Sequence, residues 1–144
     1  MKYYIYVIEL DKEVGKIVKF RKPNPKFLLG NRCFYVGQSA KKPEIRFKQH
    51  KEGYKSNTYA RRFGIKLAPE FYEKYNPIPT RKDAEELEEY VALNLRKERF
   101  GVWFNLFKLL MILNCLVDFL NCFHTLPVFA FHWPPHHQVH DLQN

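Results

Sequence analysis

The sequence predicts an α/β domain of the α+β kind, a small three-stranded antiparallel sheet flanked by helices. Three observations carry that expectation. An aromatic and β-branched run occupies residues 3–10, a second short apolar run occupies 33–37, and two segments, 43–52 and 80–99, carry the start and stop signals of helices.

In the first run Tyr4, Tyr6 and Ile8 share one face of a period-two ladder, while Tyr3, Ile5 and Val7 share the other. Both faces are apolar, which suits a central strand. Residues 11–32, with several lysines, Pro23, Pro25 and the Gly30-Asn31 turn signal, read as a long connection to the second strand. Pro43 in a first turn, Glu44 beside it and Gly53 as a stop bracket a helix on which Pro43, Arg46, Phe47 and His50 share a face. Phe47 packs on a sheet only by carrying Arg46 and His50 to the edge of the core. Residues 54–66 form a second basic segment, partly helical and ended by Gly64. The proline-rich stretch 67–79 is expected to supply a short edge strand or an extended loop. Thr80 with Asp83 three residues on opens the last helix, which runs to about Arg99.

Composition narrows the partners. The 144-residue chain carries a net charge of +9, and residues after Asn105 contribute −1, so the first 105 residues hold +10. Such a surplus points to a polyanion, either nucleic acid or an acidic membrane surface. With 46% hydrophobic residues, general disorder is excluded. Three cysteines make no disulfide framework and the N-terminal run is too short and aromatic for a signal peptide, so a cytoplasmic location is expected.

One residue breaks the amphipathic pattern of the last helix. Its apolar stripe is Ala84, Leu87, Val91 and Leu95, and Glu88 lies inside it. A carboxylate facing a core costs several kcal/mol unless it is paired, hydrogen-bonded or bound to a metal. Either a structural ion pair, with Arg46 for instance, or a functional role would account for it.

Taken together, these residues resemble the signature of the GIY-YIG nuclease superfamily. Tyr4-Ile5-Tyr6 and Tyr35-Val36-Gly37 stand where its paired strand motifs stand, followed in order by Arg46, His50, Glu88 and Asn105. The resemblance covers about residues 2–105, with Tyr4 in place of the first glycine and a longer connection between the strands. It implies hydrolysis of DNA phosphodiester bonds with one divalent ion, Mg²⁺ or Mn²⁺, for which Glu88 would be the metal ligand. Arg46 would stabilise charge on the phosphoryl oxygens. Tyr6 or Tyr35, with a lowered pKa, would take the proton of the attacking water with His50 assisting, and Gly37 would allow a close backbone approach. Asn105 would support the site at the end of the domain.

Substrate contacts are expected in residues 41–66, where nine Lys/Arg face only Glu44 and Glu52, with Tyr54, Tyr59 and Phe63 interleaved. Lys55, Asn57, Arg61 and Arg62 are the specific expectations. No base-reading module is visible, so little sequence specificity is expected. A nucleic-acid-binding module that keeps this fold without the chemistry is the alternative; it has no need of an inward carboxylate.

Residues 106–144 are set apart by composition. The run 106–123 holds eleven Leu/Ile/Val/Phe, but Lys108 and Asp118 cancel their gain, so it is not a convincing membrane span. Asn114, Asp118 and Asn121 share one face, which suits an amphipathic helix docking on a partner or surface. Cys115, Cys122 and the histidines lack zinc spacings. This tail is also the kind of segment that a fusion, read-through or frame change appends.

Overall fold

The computed structural model describes residues 1–105. The expectations for residues 106–144, an amphipathic docking helix among them, lie outside the described residues. No helix among the described residues is long and apolar enough to cross a membrane.

The first run is a seven-residue strand, β1 (Tyr4–Leu10), and its partner is β2 (Cys33–Ser39). They pair antiparallel in the register Tyr4 to Ser39, Tyr6 to Gly37 and Ile8 to Tyr35. Both faces of β1 are covered: Ile5, Tyr6, Val7 and Ile8 are all buried. Its polar exception, Glu9, is held by both arms of the Arg32 guanidinium at 3.0 Å.

Two corrections concern the sheet. It has four strands, in the order β3-β1-β2-β4, and is mixed rather than wholly antiparallel. The edge strand beside β1 is β3 (Gly64–Leu67), N-terminal to the stretch expected to hold it. Residues 69–75 form two short 3₁₀ turns, the first opened by Pro69; the stretch adds no strand of its own, and meets the sheet through a bridge between Tyr3 and Ile78 and the Asn76 bonds to Ile5. The fourth strand, β4 (Gly101–Trp103), runs parallel to β2. The long helix before it, α4 (Arg81–Lys97), explains the direction. Its 17 residues rise ~25 Å, which carries the chain back along the sheet so that it re-enters beside the start of β2.

Helices follow their signals closely. In α2 (Pro43–Glu52), Pro43 takes the first turn and Gly53, at φ 89°, closes the helix in the left-handed region. In α4 the Thr80 hydroxyl accepts the Asp83 N–H at 3.1 Å. Between them α3 (Thr58–Phe63) starts where the Asn57 side chain accepts the N–H groups of Tyr59 and Ala60. It stops at Gly64, where a Cβ would collide with the Ala60 carbonyl oxygen.

The long connection is tied down rather than loose. Its short helix α1 (Val18–Arg21) buries Phe20 against Tyr59 and Trp103. Asn24, buried between two prolines, then donates to the Phe20 carbonyl and accepts from Arg96 and from the Val102 N–H, all at 2.8–3.0 Å. One side chain thus joins the connection, α4 and β4. Asn24→Ala would leave the Val102 N–H buried without a partner, at a cost of about 2–3 kcal/mol. Thermal denaturation of the full chain should show Tm falling by about 10 °C or more; an unchanged Tm would show that this junction does not hold β4.

Candidate active site

Because paired residues of an antiparallel ladder point to the same face, Tyr6, Tyr35 and Gly37 stand together on one side of the sheet. The tyrosine rings lie 6.2 Å apart, centroid to centroid. Gly37 is required by space: a Cβ there would sit 2.6 Å from the Tyr6 hydroxyl oxygen and 2.7 Å from the ring carbon that bears it. The Tyr6 phenol therefore lies across the glycine. His50, near the end of α2, closes over both rings at 5.8 and 5.3 Å. The three side chains are buried, His50 completely.

The hydrogen bonds fix the protonation of this group. His50 Nε2 lies 2.9 Å from the Tyr6 hydroxyl. The other ring nitrogen, Nδ1, accepts the backbone N–H of Asn57 at 3.2 Å. A nitrogen that accepts cannot carry a proton, so the neutral ring bears its hydrogen on Nε2 and donates it to Tyr6. Burial, and secondarily the Arg46 charge, lowers the His50 pKa to about 4, which keeps the ring neutral. His50 is thus a donor that positions the Tyr6 oxygen, not a base poised to deprotonate it.

The expected lowering of a tyrosine pKa is not found. Burial raises Tyr6 to about 12, against the opposing Arg46 charge, and raises Tyr35 further. Each hydroxyl also feels the negative charge of Glu88. The two differ in sense towards each other: the Tyr35 hydroxyl favours ionisation of Tyr6, while Tyr6 disfavours ionisation of Tyr35.

Glu88 is 5% exposed, inside the apolar stripe of α4 where the helical period places it. Its Oε1 accepts the backbone N–H of Asn105 at 3.2 Å, so Asn105 supports the carboxylate through its main chain. It forms no ion pair among the described residues, and the structural pairing with Arg46 is not made. Burial raises its pKa to about 7, with the Asn105 bond opposing and Glu85 adding. Among the described residues the Oε2 atom of Glu88 has no hydrogen-bond partner, and no buried polar side-chain atom there is left unpaired. A single accessible carboxylate oxygen suits a hard divalent cation that keeps most of its waters. Groups of three or more metal-ligating side chains are absent among the described residues.

Arg46 sits half-buried one turn before His50, donating to the Gln49 side chain and to the carbonyls of Tyr54 and Lys55. Of the residues expected to touch nucleic acid, Lys55, Arg61 and Arg62 are exposed along α3 and the loop before it. Asn57 is half-buried, and has a structural role as well: its side-chain oxygen caps α3 and its backbone N–H donates to His50. The sequence signal for that role was present, since Asn57 precedes Thr58 where a helix N-cap belongs.

Residues 2–101 match the family model described as the GIY-YIG catalytic domain. No curated protein and no solved structure matches the chain.

Two measurements check this geometry. Nitrogen NMR of His50 should show a neutral ring protonated at Nε2 from about pH 5 upward; protonation at Nδ1 would break the assignment. Glu88, whose folded pKa is raised, contributes stability that is complete below about pH 4.5 and is lost as pH rises through about 7. Glu88→Gln should therefore raise Tm more at pH 8 than at pH 5, by on the order of 2 kcal/mol or ~10 °C.

Proposed function

The chain belongs to the GIY-YIG family of catalytic domains, nucleases that act on DNA, and from that premise we propose that it is a divalent-metal-dependent endonuclease that hydrolyses DNA phosphodiester bonds. The observation that carries this reading is Glu88: a buried carboxylate with no counter-charge among the described residues, close enough to the tyrosine pair to raise both hydroxyls. A protein that only bound phosphates would be weakened by it.

In the proposed mechanism the target phosphate lies against Tyr6 and Arg46. Glu88 would hold Mg²⁺ or Mn²⁺ through its carboxylate, which the Asn105 backbone N–H steadies. The ion would neutralise phosphate charge and make bound water more acidic. Of the two tyrosines, Tyr6 would be the proton acceptor: having first released its own proton to solvent, it would take one from the attacking water and return it to solvent afterwards. Its pKa is the lower, and the His50 Nε2–H donates to the oxygen that would become charged. Tyr35 stays protonated and steadies that oxygen or the phosphate. Arg46, in exchanging the Tyr54 and Lys55 carbonyls for phosphate oxygens, would bring a fixed positive charge to the transition state. The exposed cations Lys55, Arg61 and Arg62 would follow the backbone, which makes binding salt-dependent and weakly sequence-specific.

The test is nicking of supercoiled plasmid and branched DNA by the full chain with Mg²⁺ or Mn²⁺. Glu88→Gln and Tyr6→Phe should abolish cleavage while leaving DNA binding intact. Gly37→Ala, which pushes the Tyr6 hydroxyl off His50, should cost about 100-fold in rate. Apparent metal affinity should rise close to tenfold per pH unit up to about 7, because one proton leaves Glu88 when the ion binds. Absence of cleavage alongside salt-sensitive binding would instead identify a binding module.

A further inference from the structure

A cavity of about 440 Å³ opens between the first turn of α2 and the 3₁₀ segment before Pro77. Resting on the nuclease reading, we propose that this cavity is a subsite for one unstacked nucleobase of the substrate strand, and that it selects bases carrying an exocyclic amino group.

Its position is set by two elements already placed. Tyr4 lines it, and Tyr4 stands two residues before Tyr6 on the same face of β1, ~7 Å along the strand. Lys42, Pro43 and Glu44 line it from the start of α2, one turn before Arg46 and two before His50. Tyr4 thus stands about two stacked base steps of ~3.4 Å along β1 from Tyr6, against which the proposed phosphate lies, a spacing that suits a nearby nucleotide of the same strand.

Its walls suit a flat aromatic ligand. Tyr4, Tyr72, Pro43 and Pro77 are among the residues that line it, and aromatic rings stack on any base. The walls are preorganised. Tyr72 is 4% exposed and Pro43 is buried, while Asn76 is pinned to β1 by accepting the Ile5 N–H at 2.9 Å and donating to the Ile5 carbonyl at 2.8 Å. Tyr4 is the departure of this chain from the family signature, which has glycine there; glycine would remove one wall.

Its rim chooses between the parts of a nucleotide. Glu44, Glu73 and Lys42 are its charged lining residues, an excess of negative charge that repels phosphate. Two carboxylates are good acceptors for the amino groups of cytosine, adenine or guanine, and thymine has none to offer. Because the base must leave its stack, DNA already unpaired at a branch, gap or mismatch should be bound in preference to intact duplex.

The experiment uses full-length protein carrying Glu88→Gln, so that binding is read without cleavage, and forked DNA whose branch fixes the register. Anisotropy is measured for a series in which a single abasic site is moved along the strand one nucleotide at a time. An abasic site at one position should weaken binding about tenfold, thymine there should weaken it less, and Tyr4→Gly added to the protein should flatten the whole series. Glu44→Gln with Glu73→Gln, both on the surface, should remove the penalty for thymine while keeping the abasic one. A flat series in the parent protein, no binding to the fork, or a position effect that survives Tyr4→Gly would each overturn the subsite. Nicking by the wild-type protein is scored separately: its absence counts against the nuclease reading, whereas the abasic series decides the pocket.

Discussion

The antiparallel register that sets Tyr6 opposite Gly37 is the constraint on which the site depends. It leaves room for a phenol to lie flat across the partner strand, and a side chain at residue 37 would take that room. A one-residue slip would send Tyr6 to the other face and put Ile5 and Val7 where the site now stands. Both faces of β1 are covered by core, so the register is held by burial along its whole length and not by the site itself. His50 then needs only to descend onto a position already determined.

Burial does opposite things to the groups assembled there. It disfavours charge on each of them, so Tyr6, Tyr35 and Glu88 are raised while His50 is lowered. In the absence of substrate every one of them is closer to neutral than it would be in water. His50, with its folded pKa depressed, contributes stability present above about pH 6.5 and lost as pH falls towards about 4. Glu88 works in the other direction. The His50 penalty therefore grows towards acid while the Glu88 penalty is largely present by about pH 7, and a bound cation is what would relieve the carboxylate. Stability given up in this way is expected where a pocket must hold charge only during a reaction.

Much of this was legible in the residues, and the parts that were not share a cause. Capping chemistry is local, so α2 with its Pro43 and Gly53 and α4 with its Thr80 could be read directly. Glu88 was visible because a 3.6-residue period has only one way to place it. β4 was not, since three residues beginning with glycine carry no periodicity and its pairing with Cys33–Tyr35 is set by the length of α4. Gly64 was read only as a helix stop, although it also opens β3. Asn24 and the His50 tautomer depend on partners distant in sequence or on a backbone N–H, neither of which a pattern displays.

The basic segment shows most plainly how charge on a sequence differs from charge offered to a ligand. Nine cations in residues 41–66 read as a single polyanion-binding surface. Yet Lys51 spends its ammonium on the carbonyls of Arg61 and Gly64, at the end of α3 where helix carbonyls lack partners. Arg46 spends its guanidinium on Tyr54 and Lys55. Lys48 pairs with Glu52, and Lys66 with Glu9. These bonds fold the loop from Gly53 to Asn57 against α2, which brings the Asn57 N–H to His50 and so fixes the proton that His50 gives to Tyr6. Part of the positive charge that suggests a DNA surface thus serves first to orient the tyrosine. Of these internal cations, Arg46 is the one whose carbonyl partners a phosphate beside Tyr6 could replace.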